Sequence, residues 1–228
     1  VRNLNSVVVV AAGSGKRMNI GINKQFIKLG EKEVIAHTIQ VFYINKDIDE
    51  IVVCIKPEEE KYFVDNIINK YNFKGVKIAY GGKERQDSIF NGLKKLDEKC
   101  NIVLIHDGAR PFVDDKIITE SIEEAKVKKA VVVGVPVSDT IKIVKDGEIE
   151  STPDRSLLWA AQTPQVFEYN TIKKAYEDAY ESGFYGTDDS MLVERIGQKV
   201  SMVMGSHKNI KITNQEDLKT ANQIIQDI

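Results

Sequence analysis

The sequence predicts an α/β fold, a mostly parallel sheet with helices on both faces and a β-hairpin standing apart from it. Three observations carry that expectation. Short apolar runs rich in valine and isoleucine recur along the 228 residues, each closed by glycine, proline or a polar residue. Strands buried on both faces have that pattern. Segments with apolar residues at helical spacing lie between the runs, joined by short connections, as repeated β-α units require. One stretch, Val137 to Leu158, departs from this rhythm: Ile141 to Ile149 alternates apolar and polar residues around Asp146-Gly147, a two-residue hairpin signal.

The first strand is the Val7-Val-Val-Val10 run, followed by Ala11-Ala-Gly-Ser-Gly-Lys-Arg-Met18. Val34 to Tyr43 is expected as a helix, with Val34, Ile35, Thr38, Val41 and Phe42 on one face. Ile51 to Ile55 is a second buried strand, stopped by Pro57. Glu58 to Tyr71 places Tyr62, Phe63, Ile67, Ile68 and Tyr71 on one helical face. Val76 to Tyr80 is the third strand, ending at Gly81-Gly82. Asp87 to Leu96 is a helix, Ile102 to Ile105 a fourth strand, Lys116 to Lys128 a helix and Ala130 to Val135 a fifth strand. The hairpin follows. An isolated hairpin is marginal in water and must pack on something. Spacing alone leaves open whether it folds back on its own domain or crosses to a second subunit. Glu168 to Ser182 and Asp189 to Ile196 are then helices, Val200 to Met204 a strand, and Asn214 to Ile225 a closing helix. Residues 1–228 thus make one Rossmann-like domain with a hairpin at about 137–158, and its ligands belong beyond the carboxyl ends of the strands.

Bulk properties narrow the partners. A formal net charge of -2 with 29% charged residues lacks the basic excess of a nucleic-acid binder. Cys54 and Cys100 give no disulfide framework and suit a reducing compartment. The three histidines, His37, His106 and His207, show no metal-ligand spacing. No signal-peptide pattern or membrane-length apolar run is present, so a soluble, cytoplasmic protein is expected.

Chemistry concentrates in a few strings. Gly13 and Gly15 let the chain turn sharply after the first strand and leave backbone N–H groups uncovered. Lys16, Arg17 and Lys24 follow, so bare amides and cations meet at a strand end, a site for a polyanion such as a nucleotide triphosphate. It is not a Walker A loop, which would need glycine at position 10 and Ser or Thr at 17, where Val10 and Arg17 stand. Nor is it a dinucleotide fingerprint, because Met18 occupies the third glycine position. Gly81-Gly-Lys-Glu-Arg-Gln-Asp-Ser88 permits close approach of a ring or ribose, while Asp87 or Ser88 could equally cap the next helix. His106-Asp-Gly-Ala-Arg-Pro111 puts a carboxylate at a strand end, with Arg110 a rigid fork suited to phosphate. His106 directly follows an apolar run and is expected as a satisfied structural residue. Thr163 precedes Pro164 and is biased to extended backbone with its hydroxyl free. Asn209-Ile-Lys-Ile-Thr213 alternates in strand fashion, so Lys211 points opposite to its isoleucine neighbours, and Asn214 is expected to cap the last helix.

These strings, together with Lys24-Gln25, Gln162-Thr-Pro-Gln-Val-Phe167 and Thr187-Asp-Asp189, resemble the 2-C-methyl-D-erythritol 4-phosphate cytidylyltransferases, among the sugar-phosphate and polyol-phosphate cytidylyltransferases. The resemblance runs from Ala11 to the last helix, with the strings in the family's order. It implies transfer of a cytidylyl group from CTP to 2-C-methyl-D-erythritol 4-phosphate, in a homodimer joined through the hairpin arm. By the same resemblance Arg17, Lys24, Arg155 and Lys211 are catalytic. Ala11, Ala12, Gly13, Ser14, Gly15, Gly82, Lys83, Ser88, Asp107 and Gly108 bind CTP. Arg110, Thr140, Thr163 and Thr187 bind the polyol phosphate. Magnesium is the implied cofactor, with Asp107 the candidate ligand. No nucleophile–histidine pair is needed, because a phosphate monoester is already anionic near neutral pH. Two alternatives are weighed. A ribitol 5-phosphate cytidylyltransferase shares the nucleotide strings, but Asp154 to Pro164 and Thr187-Asp-Asp189 look more like the methylerythritol enzyme. A non-catalytic nucleotide sensor would be expected to lose Arg17, Lys24 or Lys211, and all three are present.

Overall fold

The computed structural model describes residues 3–13 and 23–227. In chain order the elements are β1 (Leu4–Val10), the short pair β2 (Lys28–Leu29) and β3 (Lys32–Glu33), α1 (Val34–Ile44), β4 (Glu50–Ile55), α2 (Glu60–Phe63), β5 (Lys77–Tyr80), α3 (Arg85–Leu93), β6 (Cys100–Asp107), α4 (Asp115–Lys128), β7 (Ala130–Pro136), β8 (Ile143–Lys145), β9 (Glu148–Ser151), β10 (Trp159–Glu168), α5 (Tyr169–Glu181), α6 (Asp189–Arg195), β11 (Ser201–Met204) and α7 (Gln215–Gln226). Seven strands form the main sheet in the order β11-β7-β10-β6-β1-β4-β5. All neighbours are parallel except β10, which runs against both β6 and β7.

The valine run of β1 explains the two layers. Val7 and Val9 enter a core with Ile35, Ile39 and Phe42 of α1 and Ile118 and Ile122 of α4. Val8, pointing the other way, enters a second core with Ile89 of α3 and Ile172 and Tyr176 of α5. A strand lined by apolar residues on both sides has to be sandwiched, which is the period-two consequence of the pleat. A third cluster seats α7 against Leu29 and Val34 through Leu218, Ala221 and Ile225.

Three expectations need correction. Trp159–Glu168 is a full strand, although the sequence suggested only local extension around Thr163. Pro164 cannot donate to a ladder, and the β10–β7 pairing shifts between Ala161 and Gln165. Asn209 to Thr213 is not a strand: it crosses the sheet edge as a strap, with Ile212 N–H donating to Ala109 O at 2.9 Å. The expected helix over Glu58–Tyr71 is three short helical turns of differing pitch, beginning at Pro57.

The hairpin forms as expected. β8 and β9 pair through Lys145 and Glu148, and Asp146 and Gly147 take φ of 52° and 86°, the left-handed values a tight hairpin turn demands. Its base is closed by Val137 N–H donating to Leu158 O at 3.0 Å. Its apolar side chains Ile143, Val144 and Ile149 are exposed. Among the described residues no helix is long and apolar enough to cross a membrane.

Candidate active site

A cleft of about 740 Å³ opens beyond the carboxyl ends of β1, β4, β5 and β6. Of the residues expected at a nucleotide site, Ala12, Gly13, Lys24, Gly82, Lys83, Ser88, Asp107 and Lys211 line it. They come from five separate parts of the chain, and the topology brings their ends to one edge. Parallel strands place all their carboxyl ends together, and helix N-termini with them.

The loop between β5 and α3 forms one wall. Gly81 N–H donates to Ile55 O at 2.8 Å, which continues the β4 edge past the strand. A Cβ on Gly81 would lie 2.3 Å from the Ala12 Cβ, and one on Gly82 would lie 2.3 Å from the Asp87 Cβ. Both positions therefore exclude any side chain. Glu84, rather than Asp87 or Ser88, caps α3, in a reciprocal capping box with Asp87. Ser88 instead ties the loop: its Oγ accepts from Gly82 N–H at 3.0 Å and donates to Glu84 O at 3.1 Å.

The floor is Asp107, the last residue of β6. Lys211 Nζ lies 2.9 Å from Oδ2, Arg110 Nε 3.6 Å from the same oxygen, and Arg85 Nη2 3.4 Å from Oδ1. Burial alone would raise the Asp107 carboxyl; Arg85, Lys211 and Arg110 outweigh it and hold it well below the usual carboxylate range. The strap from 209 to 213 sets Lys211 in place. Asn209 Nδ2 donates to Thr163 O at 2.9 Å, and Arg110 Nη1 donates to Asn209 O at 2.7 Å.

Beneath Asp107 lies a satisfied polar chain. Asp107 N–H donates to Thr163 Oγ1 at 3.0 Å, and that hydroxyl donates to His106 Nδ1 at 3.0 Å. His106 Nε2 then donates to Arg110 O at 2.9 Å. The network assigns His106 as the neutral Nε2–H tautomer. The side chain is fully buried, and burial pushes its pKa down from 6.5 to about 4. This has a sign that can be checked. Unfolded chains bind the proton near pH 6.5 and the folded chain only near 4, so the unfolded state gains protons first. Stability is therefore present above pH 6.5 and falls as pH drops toward 4, by about 3 kcal/mol from this residue. Urea midpoints across that window should fall more steeply for wild type than for His106→Gln, and parallel curves would contradict the assignment.

Other expected residues lie elsewhere. Ala11 does not line the cleft: its side chain is in the core and its N–H donates to Cys54 O at 2.8 Å. Gly108 does not line the cleft: its N–H donates to Val10 O at 2.9 Å, and an added Cβ would meet Ile35 and Gln25. Arg110 is folded inward on Asp107 and Asn209, and Thr163 is buried below the floor, so both support the site from beneath. Thr187 is exposed, its hydroxyl directed at Met191 Sδ at 3.7 Å, and Asp188 caps α6, the acidic helix start that was the plainer alternative. Thr140 and Arg155 flank the hairpin, exposed and outside the cleft lining; Arg155 Nη1 donates to Ser138 O at 2.7 Å. Arg17, Ser14 and Gly15 lie outside the described residues.

Arg85 was missed, although it stands inside the quoted Gly81–Ser88 string. It lines the cleft at the first position of α3. A cation there faces the positive end of the helix dipole, which in hindsight signals a counter-charge nearby. Lys56 and Thr213 also line the cleft without having been expected. Asp107 is the carboxylate a metal ion would meet at the strand end. Among the described residues no group of three His, Cys, Asp or Glu could cage an ion, and both Asp107 oxygens already face cations. With that donor set, an ion at Asp107 would have to bring its other ligands with it.

Comparison with known proteins agrees with this fold. The family model for IspD, 2-C-methyl-D-erythritol 4-phosphate cytidylyltransferase, matches residues 5–227. The enzyme of that name from Clostridioides difficile is 76% identical over 220 residues, covering 96% of this chain and 93% of the relative. The one from Caldanaerobacter subterraneus subsp. tengcongensis is 51% identical over 95% of this chain and 96% of the relative. Among solved structures, 4-diphosphocytidyl-2C-methyl-D-erythritol synthase from Anaerococcus prevotii superposes with a TM-score of 0.88 at 37% identity, covering 98% of this chain and 96% of that one. With the family model spanning residues 5–227 and a relative 76% identical, the chain belongs to the 2-C-methyl-D-erythritol 4-phosphate cytidylyltransferase family.

Proposed function

We propose that the protein transfers the cytidylyl group of CTP to 2-C-methyl-D-erythritol 4-phosphate, giving 4-diphosphocytidyl-2-C-methyl-D-erythritol and pyrophosphate. The observation that carries this reading is the convergence of Lys24, Lys211 and Asp107 on one cleft beyond the sheet edge. An oxygen of the substrate phosphate attacks the α-phosphorus of CTP, and the bond to the β-phosphate oxygen breaks in line. Both reactants are anions, so the protein's work is positioning and charge neutralisation. Lys24 stabilises the charge growing on the α-phosphate and the leaving pyrophosphate, together with Arg17. Lys211 serves the attacking phosphate. The Gly81–Ser88 wall takes the nucleoside end, where only a side-chain-free backbone permits close approach.

Magnesium is part of the proposal, as an ion carried on the triphosphate and met by Asp107. When bound it supplies charge neutralisation at phosphate oxygens, and magnesium keeps several waters rather than demanding an all-protein cage. The homodimer is proposed through the hairpin arm, whose exposed Ile143, Val144 and Ile149 are an apolar set with no cover among the described residues. In it, Arg155 and Thr140 of one protomer would serve the polyol phosphate in the other.

The test is pyrophosphate release with CTP, UTP, ATP or GTP, each paired with 2-C-methyl-D-erythritol 4-phosphate or ribitol 5-phosphate. Turnover is expected with CTP and the methylerythritol phosphate. Faster turnover with ribitol 5-phosphate would overturn the substrate, and no pyrophosphate with any pair would overturn the activity.

A further inference from the structure

We infer that Asp189 is a positioning residue of the site, acting on the cleft through Arg85; the inference rests on the activity proposed above. Arg85 Nη1 and Nη2 both donate to Asp189 Oδ2 at 3.0 Å, and Nη2 also reaches Asp107 Oδ1 at 3.4 Å. Asp189 is 1% exposed and does not line the cleft. Its other oxygen accepts from Tyr176 Oη at 2.5 Å. Tyr176 is itself fully buried and stacks on Phe90 of α3, ring centroids 5.7 Å apart. A chain of contacts therefore runs from the second core to the cleft floor: Tyr176, Asp189, Arg85, Asp107.

A buried carboxylate is tolerated only when paired and hydrogen-bonded, and this one is spent on a guanidinium. That fork is planar, so pinning two of its nitrogens on Asp189 fixes the direction of the rest. The direction chosen is toward Asp107, against which Lys211 also rests. Burial works against the Arg85 charge, but Asp189 and then Asp107 outweigh it. The pair is not needed to hold its two segments together. Gln86 Nε2 donates to Phe184 O at 3.0 Å, and Gly186 N–H donates to Gln86 Oε1 at 3.0 Å. These two bonds join the same α3 start to the same approach to α6. What the Arg85–Asp189 contact adds is orientation of a cation beside the reacting phosphates.

A double-mutant cycle tests this. Asp189→Asn, Arg85→Met, the double variant and wild type are compared in kcat/KM for CTP and in urea midpoint. Asp189→Asn is expected to lose about tenfold in kcat/KM, in line with the cost of a slightly misplaced group. In the Arg85→Met background the same change should alter kcat/KM by less than about twofold, because its route to the site is gone. It should also raise the urea midpoint there, by removing an unpaired buried charge. Full kcat/KM in Asp189→Asn, or losses that multiply in the double variant, would overturn the inference. Tyr176→Phe keeps the stacked ring and removes one hydrogen bond. If Asp189→Asn does not fold, a loss of roughly threefold in Tyr176→Phe is the supporting result and none the refuting one. Wild-type protein that releases no pyrophosphate would instead refute the activity, and calorimetric CTP binding by the same four proteins would then decide the coupling.

Discussion

Lys24→Ala is expected to lower kcat about 10²–10³-fold while moving KM for CTP by no more than about threefold, the signature of a donor aimed at charge that exists only in the transition state. Lys24 lines the cleft at the first position of the short helical turn Lys24–Phe26. The chain around it helps fix its placement. Asn23 caps the turn by accepting from Gln25 N–H at 3.2 Å, and its amide donates to Glu59 Oε1 at 2.8 Å. Truncation beyond Cβ leaves those bonds intact. The Lys24 charge is also felt by Asp217 at the start of α7. Burial of Asp217 is outweighed there by hydrogen bonds from Thr213 and Asn214, with Lys24 a smaller contribution, so its carboxyl sits below the ordinary range. Thr213 and Asn214 keep that carboxylate satisfied in the variant. The urea midpoint should therefore stay put. A rise in KM with kcat unchanged would show that Lys24 binds ground state and transition state alike, and the assigned role would be wrong.

Mixing Arg155→Ala with Lys24→Ala protein is expected to restore activity that neither variant has alone. The expectation follows from where the residues lie. Lys24 and Lys211 share the cleft, whereas Arg155 and Thr140 stand at the hairpin, outside its lining. If the arm of one protomer completes the other's cleft, a mixed dimer contains one site with both Lys24 and Arg155 intact and one site with neither. Random assortment makes half of all dimers mixed, so recovery should approach about a quarter of wild-type turnover. Mixed dimers purified with two different tags, and still inactive, would count against a site shared between protomers and leave Arg155 serving its own chain. Recovery well above that fraction would mean that one variant is active by itself.

Much of this was legible in residues, for identifiable reasons. The β1 valine run had to be sandwiched, and both its faces are covered. Asp146-Gly147 tolerates left-handed backbone where most pairs cannot, and the turn sits there. β10 was hidden because half of its buried residues are polar. Gln162, Thr163 and Gln165 are each nearly inaccessible, yet they look like loop residues until their partners are known. Gln165 donates to Asp188 and accepts from Ser190 N–H; Gln162 donates to Ser206 O. Such side chains satisfy contacts remote in sequence, which no local pattern reports. The strap at 209–213 alternates like a strand but has no ladder to join. Arg110 has the chemistry of a phosphate donor and the position of a brace, since a guanidinium serves whichever anion is nearest, and that is Asp107. Arg85 was overlooked because its counter-ion lies 104 positions away.

The neutral imidazole under the floor has a consequence for rate measurements. With His106 unprotonated down to about pH 4, Asp107 ionised below that and Arg85 permanently cationic, this part of the floor carries a constant electric field through the physiological range. These three groups then give no acid limb in turnover between pH 5 and 7, and the phosphates of the reactants, whose last ionisations fall near pH 6, are placed to give one. This part of the floor keeps its own charges still and leaves that titration to the reactants.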